Sequence, residues 1–101
     1  MPIKVLIQRK FKPGTQKEVA ALLNEFRAGA MNRPGYISGE TLFNIDDPQV
    51  MLVISTWNEL ENWMAWRDHT TRITFERMLE VYQDGSTRYN VFRLGTTTEQ
   101  L

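Results

Sequence analysis

The sequence predicts a ferredoxin-like α+β domain, a four-stranded antiparallel sheet with its helices on one face. Three observations lead there. The hydrophobic period switches along the chain between two and about 3.6 residues, giving the order β, α, β, β, α, α, β. Glycine, proline and Asx-rich turns separate the segments. The strand at 50–57 is apolar on both faces, so one helix layer leaves its second face in need of another cover. A chain of 101 residues has room for one modest core, and residues 1–95 are expected to form a single domain with 96–101 as a flexible C-terminal tail.

The first strand is "IKVLIQRKF", 3–11, in which Ile3, Val5, Ile7 and Phe11 alternate against Lys4, Gln8 and Lys10, with Leu6 out of pattern. After "KPG", Thr15 and Glu18 have the spacing of a capping box. Val19, Leu22, Leu23 and Phe26 then recur at helical spacing until Gly29 and the "NRPG" turn are expected to end the helix.

"YISGETLFNI", 36–45, sets Ile37, Thr41, Phe43 and Ile45 opposite Tyr36, Ser38, Glu40 and Leu42. The "DDPQ" turn leads into "VMLVISTW", where Val50, Leu52 and Ile54 oppose Met51, Val53 and Trp57. Asn58 and Glu61 form a second expected capping box, opening a helix whose stripe is Leu60, Trp63, Met64 and the Arg67 stem. Trp66 lies at its edge, about 60° round from Trp63. Thr70 and Thr71 restart the chain into a helix with Phe75, Met78, Leu79 and Tyr82 inward. "DGS" stops it, and "TRYNVFRL", 87–94, sets Tyr89 and Val91 against Phe92 and Leu94 as the last strand.

Composition narrows the function. Twelve basic and twelve acidic residues are scattered along the chain, which argues against nucleic acid and anionic membrane as partners. There is no cysteine, so disulfides, thiolate metal sites and cysteine nucleophiles are excluded. One histidine and dispersed carboxylates lack metal-ligand spacing, and neither a serine-histidine-acid order nor a glycine-rich phosphate loop occurs. The apolar run near the N-terminus is too short for a signal peptide or a membrane span, so a cytoplasmic location is expected. What stands out is "STWNELENWMAW", which gathers Trp57, Trp63 and Trp66 within ten positions, with His69 three residues on.

The runs "PGYISGETL", "VMLVISTWNELENWMAW" and "RITFERM" resemble the antibiotic biosynthesis monooxygenase family across residues 3–94. The resemblance implies a dimeric α+β barrel, a homodimer with a ligand cavity between sheet and helices. It also implies cofactor-independent oxygenation of small aromatic, quinol- or polyketide-like substrates. Haem-degrading members carry an asparagine, a tryptophan and an iron-ligating histidine at positions that fall here on Ile7, Trp66 and Glu76. Haem is therefore disfavoured, and no bound cofactor is expected. Cofactor-free members share a tryptophan at Trp57 and an arginine at Arg77, while their asparagine falls on Val53. A haem-binding or non-catalytic small-molecule module of the same fold is the alternative.

The candidate residues follow. Trp66, His69 and Arg77 are the candidate catalytic set, and Trp57, Trp63, Phe43 and Met51 the candidate substrate contacts, with no metal site. A flat indole gives a stacking wall, and arginine or histidine favours a deprotonated phenol. Packing competes with each role: Trp63 belongs to the core stripe, His69 suits a helix junction, and Arg77 suits a solvated surface. Arg9, Tyr36 and Glu40 alternate on strands and face either the lumen or the water.

Overall fold

The computed structural model describes residues 1–95, and the expected tail at 96–101 lies outside them. The elements are β1 (Ile3–Lys10), α1 (Gln16–Met31), β2 (Tyr36–Phe43), β3 (Val50–Trp57), α2 (Leu60–Arg67), α3 (Thr70–Glu80) and β4 (Arg88–Arg93). The strands form one antiparallel sheet in the order β2-β3-β1-β4, with the helices on one face, which is the ferredoxin-like arrangement expected. No helix among the described residues is long and apolar enough to cross a membrane.

Alternation along β1 places Ile3, Val5 and Ile7 in the core under the helices, and the same period carries Arg9 inward, where it is only 2% exposed. Across the ladder these residues face Trp57, Ser55, Val53 and Met51 of β3.

β2 departs from simple alternation. The register shifts between Tyr36 and Ser38, so that Tyr36 stands opposite Trp57 while Gly39, Thr41 and Phe43 stand opposite Ser55, Val53 and Met51. A bulge adds one residue to one strand, and a one-residue slip exchanges the faces. Tyr36 therefore joins the helix-covered face, and Ile37, set with Thr41 and Phe43 by simple alternation, is 53% exposed.

The helix termini also differ from the expected caps. Thr15 is the N-cap of α1, but its hydroxyl donates to the Lys12 carbonyl at 2.7 Å instead of accepting from the helix. α1 runs through Gly29 to Met31. The box that opens α2 is one residue later than expected, the Glu59 amide donating to Oδ1 of Asn62 at 3.1 Å. The preceding turn is docked onto it: Gly35 has φ +81°, its carbonyl accepts from the Asn58 amide at 2.7 Å, and a Cβ there would overlap the Asn62 side chain.

α2 buries Trp63 and Trp66, whereas Leu60 and Met64, expected on the inward stripe, turn toward solvent. The two indoles set the helix rotation because they bury far more apolar area than a leucine and a methionine. On α3, Leu79 is fully buried, and Phe75 and Tyr82 pack against the core, but Met78 is exposed and the inward face is completed by Arg72 and Glu76. Among the described residues, no helix lies on the sheet's far face. By register, Leu6, Leu52 and Ile54 stand there half-buried, beside the exposed Leu42 and Phe92.

Candidate active site

A cavity of about 110 Å³ lies between α1, α2 and the covered face of the sheet. Trp57, Trp63, Trp66 and Phe26 supply aromatic walls, Ile7, Val53 and Ser55 the sheet side, and Arg27 and Thr41 line it between α1 and β2. Tyr36 packs edge-on to Trp57 (5.3 Å, 86°), and Trp63 tilts against Trp57 at 6.1 Å. Trp66 packs on Phe26 at 6.1 Å, and Phe26 stacks on Phe75 at 5.2 Å. Helix α1 approaches so closely that a Cβ on Gly29 would lie 3.3 Å from Cη2 of Trp66.

All three tryptophans of the sequence motif are thus brought together around one space. The Trp57 indole N–H is committed, donating to Ser55 Oγ at 3.0 Å, which leaves Trp57 a wall and holds its ring in place. The other candidate residues lie elsewhere. Met51 is fully buried on the covered face opposite Arg9, in the core and outside the cavity lining. Phe43, at the end of β2, is 63% exposed and borders a separate apolar depression with Phe11 and Val19. Arg77 is exposed on α3 and borders an outer groove with Ile73 and Glu80, which Arg72, Glu76 and Tyr89 also line.

His69 sits at the α2–α3 junction outside the cavity. It is the N-cap of α3, its Nδ1 accepting the Thr71 amide at 3.1 Å, and its Nε2 lies 3.1 Å from Nη1 of Arg33. Its ring rests 5.8 Å from Trp66, over which the Arg33 guanidinium also lies at 5.9 Å. Next to it the hydrogen bond from Arg67 holds the Asp68 carboxyl below its ordinary value, and the same pair raises Arg67. Both groups are fully exposed, so solvent screens this interaction.

The polar heart of the site is a cluster that periodicity did not single out. Arg9 from β1 and Arg72 from α3 are both almost fully buried, both line the cavity, and both donate to Oε1 of Glu76, Arg72 at 3.2 Å. Arg72 also donates to the Tyr89 hydroxyl at 2.9 Å. Its guanidinium lies 5.0 Å from the Trp63 ring, 5.3 Å from Tyr89 and 5.7 Å from Phe26, over which Arg9 also sits at 5.7 Å. The Nε atoms of Arg9 and Arg72 are buried without a hydrogen-bond partner. The signal for Arg9 was its odd-numbered place on β1, and that for Glu76 was its i+4 spacing from Arg72.

These neighbours also bear on haem. The position of an iron-ligating histidine is Glu76, whose carboxylate is held by two guanidiniums, and the one histidine is a helix cap outside the cavity. That donor set does not fit an axial ligand. Among the described residues, no group of three histidine, cysteine, aspartate or glutamate side chains is placed to hold a metal ion.

A profile of the antibiotic biosynthesis monooxygenase family matches residues 2–77. The chain belongs to this family. Among curated proteins it is 28% identical over 93 residues to Protein SchA of Streptomyces halstedii, covering 90% of this chain but only 24% of that protein. Among solved structures, its fold is similar to a conserved protein from Methanosarcina mazei Go1 (TM-score 0.86, 16% identity, 92% of each chain covered). It is also similar to SnoaB, a cofactor-independent oxygenase from Streptomyces nogalater (TM-score 0.84, 12% identity, 96% of each chain covered). At those identities the structural likeness speaks for the fold, and the family membership rests on the sequence match.

Proposed function

We propose that this member of the antibiotic biosynthesis monooxygenase family is a cofactor-independent oxygenase acting on a small aromatic substrate of the quinol or polyketide type. The observation that carries this reading is the cavity walled by Trp57, Trp63 and Trp66. In this chemistry the substrate is its own reductant. A ring-flanked CH2 becomes C=O, dioxygen gives one atom to that carbonyl, and the other leaves as water, with all four electrons drawn from the substrate. The protein stacks the ring, excludes water and steadies negative charge on the ring oxygen once its proton has left. Trp63 and Trp66 clamp the ring, and Trp57, its N–H held by Ser55, serves as a rigid wall. His69 and Arg77 lie outside the lining, so the partner of the ring oxygen belongs among the cavity's own polar groups.

The working unit in this proposal is a homodimer that packs two uncovered sheet faces together through Leu6, Leu52, Ile54 and Phe92, and a cysteine-free chain suits the cytoplasm. Light scattering is expected to give about twice 11.8 kDa. Oxygen uptake with a panel of anthrones and quinols tests the activity: turnover that drops at least about tenfold in Trp66→Ala is expected. Saturable binding with no uptake on any member of the panel would instead favour a non-catalytic binding module.

A further inference from the structure

We infer that the depression between the end of α1 and the α2–α3 junction is a binding site for a small carboxylate, held by Arg33, the Nε2–H of His69 and Asn62. It shares only Trp66 with the cavity and takes no part in the proposed reaction.

His69 faces one N–H too many. The Thr71 amide donates to Nδ1 at 3.1 Å, and Nη1 of Arg33 lies 3.1 Å from Nε2. A neutral imidazole accepts at one nitrogen and donates at the other, and a guanidinium has no lone pair to offer. Peptide geometry fixes the amide hydrogen, so Nδ1 keeps its lone pair, the ring proton sits on Nε2, and two donors meet there. Moving the proton to Nδ1 carries the conflict to Thr71, and an imidazolium has it on both sides. An acceptor set against Arg33 and Nε2 removes the conflict by taking a hydrogen from each.

Water could take both hydrogens but would leave the charge of Arg33 uncompensated. Among the described residues Arg33 forms no ion pair, and the carboxylate of Asp68, beside His69 in sequence, is bonded twice by Arg67, at 2.9 and 3.0 Å. The depression has a volume of about 150 Å³, and no acidic residue lines it. Its third polar side chain, Asn62, is oriented by the Glu59 amide, which donates to Oδ1 at 3.1 Å. The end left without a partner among the described residues is therefore Nδ2, a further donor. Pro34, Ala65 and Trp66 supply apolar walls. One positive charge, donors from three residues and apolar walls match a monoanionic carboxylate on a short hydrocarbon chain.

His69 is the only histidine of the chain, so NMR reads its ring nitrogens without ambiguity. In a long-range proton–nitrogen correlation spectrum at mildly alkaline pH, the ring is expected as the Nε2–H tautomer. Butyrate replacing chloride at constant ionic strength should shift both ring nitrogens and the Asn62 side-chain amide saturably. Its affinity should exceed that of n-butanol by at least about tenfold, and it should raise the melting temperature. Arg33→Gln should weaken butyrate binding at least about tenfold. His69→Asn keeps an oxygen to cap α3 but loses the Nε2–H, and should weaken butyrate about tenfold in a folded protein, read on the Asn62 amide.

A merely structural contact between Arg33 and His69 predicts no saturable shift with butyrate, or an affinity that both variants leave unchanged. Either result overturns the inference, and so does an Nδ1–H ring or n-butanol binding as tightly as butyrate. Inorganic phosphate binding more tightly than butyrate overturns it as well, since the site would then be built for a phosphate group. Where Arg33→Gln fails to fold, as circular dichroism would reveal, the comparison of butyrate with n-butanol on the unaltered protein and the His69→Asn variant still decide.

Discussion

Trp66 borders two arginine–aromatic clusters that look alike in composition and differ in what they leave undone. Outside, Arg33 lies over its ring and beside His69, which caps α3, so both imidazole nitrogens face a neighbour. Inside, Arg9 and Arg72 crowd one glutamate and three aromatic rings, yet each retains a buried N–H with no partner. A histidine close to a tryptophan is the more conspicuous sequence signal. What separates the two clusters is burial: Arg9 and Arg72 are almost wholly removed from water, whereas Arg33 and His69 are only half-buried.

The contrast can be broken most forcefully from the inside. Glu76→Ala removes the only counter-charge, among the described residues, of two buried guanidiniums and is expected to lower stability by about 3–5 kcal/mol in urea unfolding. A loss of under about 1 kcal/mol would mean that water already reaches the cluster. Outside, His69→Ala should lower stability by about 1 kcal/mol, as losing an N-cap does, and His69→Asn should recover most of it. Both variants should keep the oxygen uptake of the unaltered protein, and loss of turnover in the asparagine variant would move the chemistry to the outer cluster.

The smallest effect belongs to Asp68. Its folded pKa is depressed, chiefly by the hydrogen bond from Arg67, so its contribution is present above the unfolded carboxyl value and is lost as pH falls through the folded one. The slight stability advantage of the unaltered protein over Asp68→Asn in thermal melts should therefore vanish in acid, and an advantage that grew there would contradict the pairing.

The order of elements was legible because each is written in its own hydrophobic period. The β1 residues Ile3, Val5 and Ile7, the β3 residues Met51, Val53 and Trp57, and Leu79 on α3 all face as their spacing requires. What periodicity missed lay where another force outweighed it. Two indoles rotated α2 away from Leu60 and Met64, and the carbonyl of Gly35, a turn far back in sequence, engaged the Asn58 amide while Asn62 capped Glu59. Glu76 was hidden, and Arg9 left open between lumen and water, for a different reason: a hydropathy pattern counts any charged residue as solvated, and only tertiary packing brings a strand arginine to a helix glutamate 67 positions away. For the tryptophans the motif was a sound guide, since local spacing on β3 and α2 sufficed to converge them.

The irregularity between Tyr36 and Ser38 decides which side chain meets Trp57. Without it, the alternation that carries Gly39, Thr41 and Phe43 opposite Ser55, Val53 and Met51 would bring Ile37 beside the indole instead of Tyr36. A single surplus residue on an edge strand thus sets whether that end of the cavity offers a phenol or an aliphatic wall.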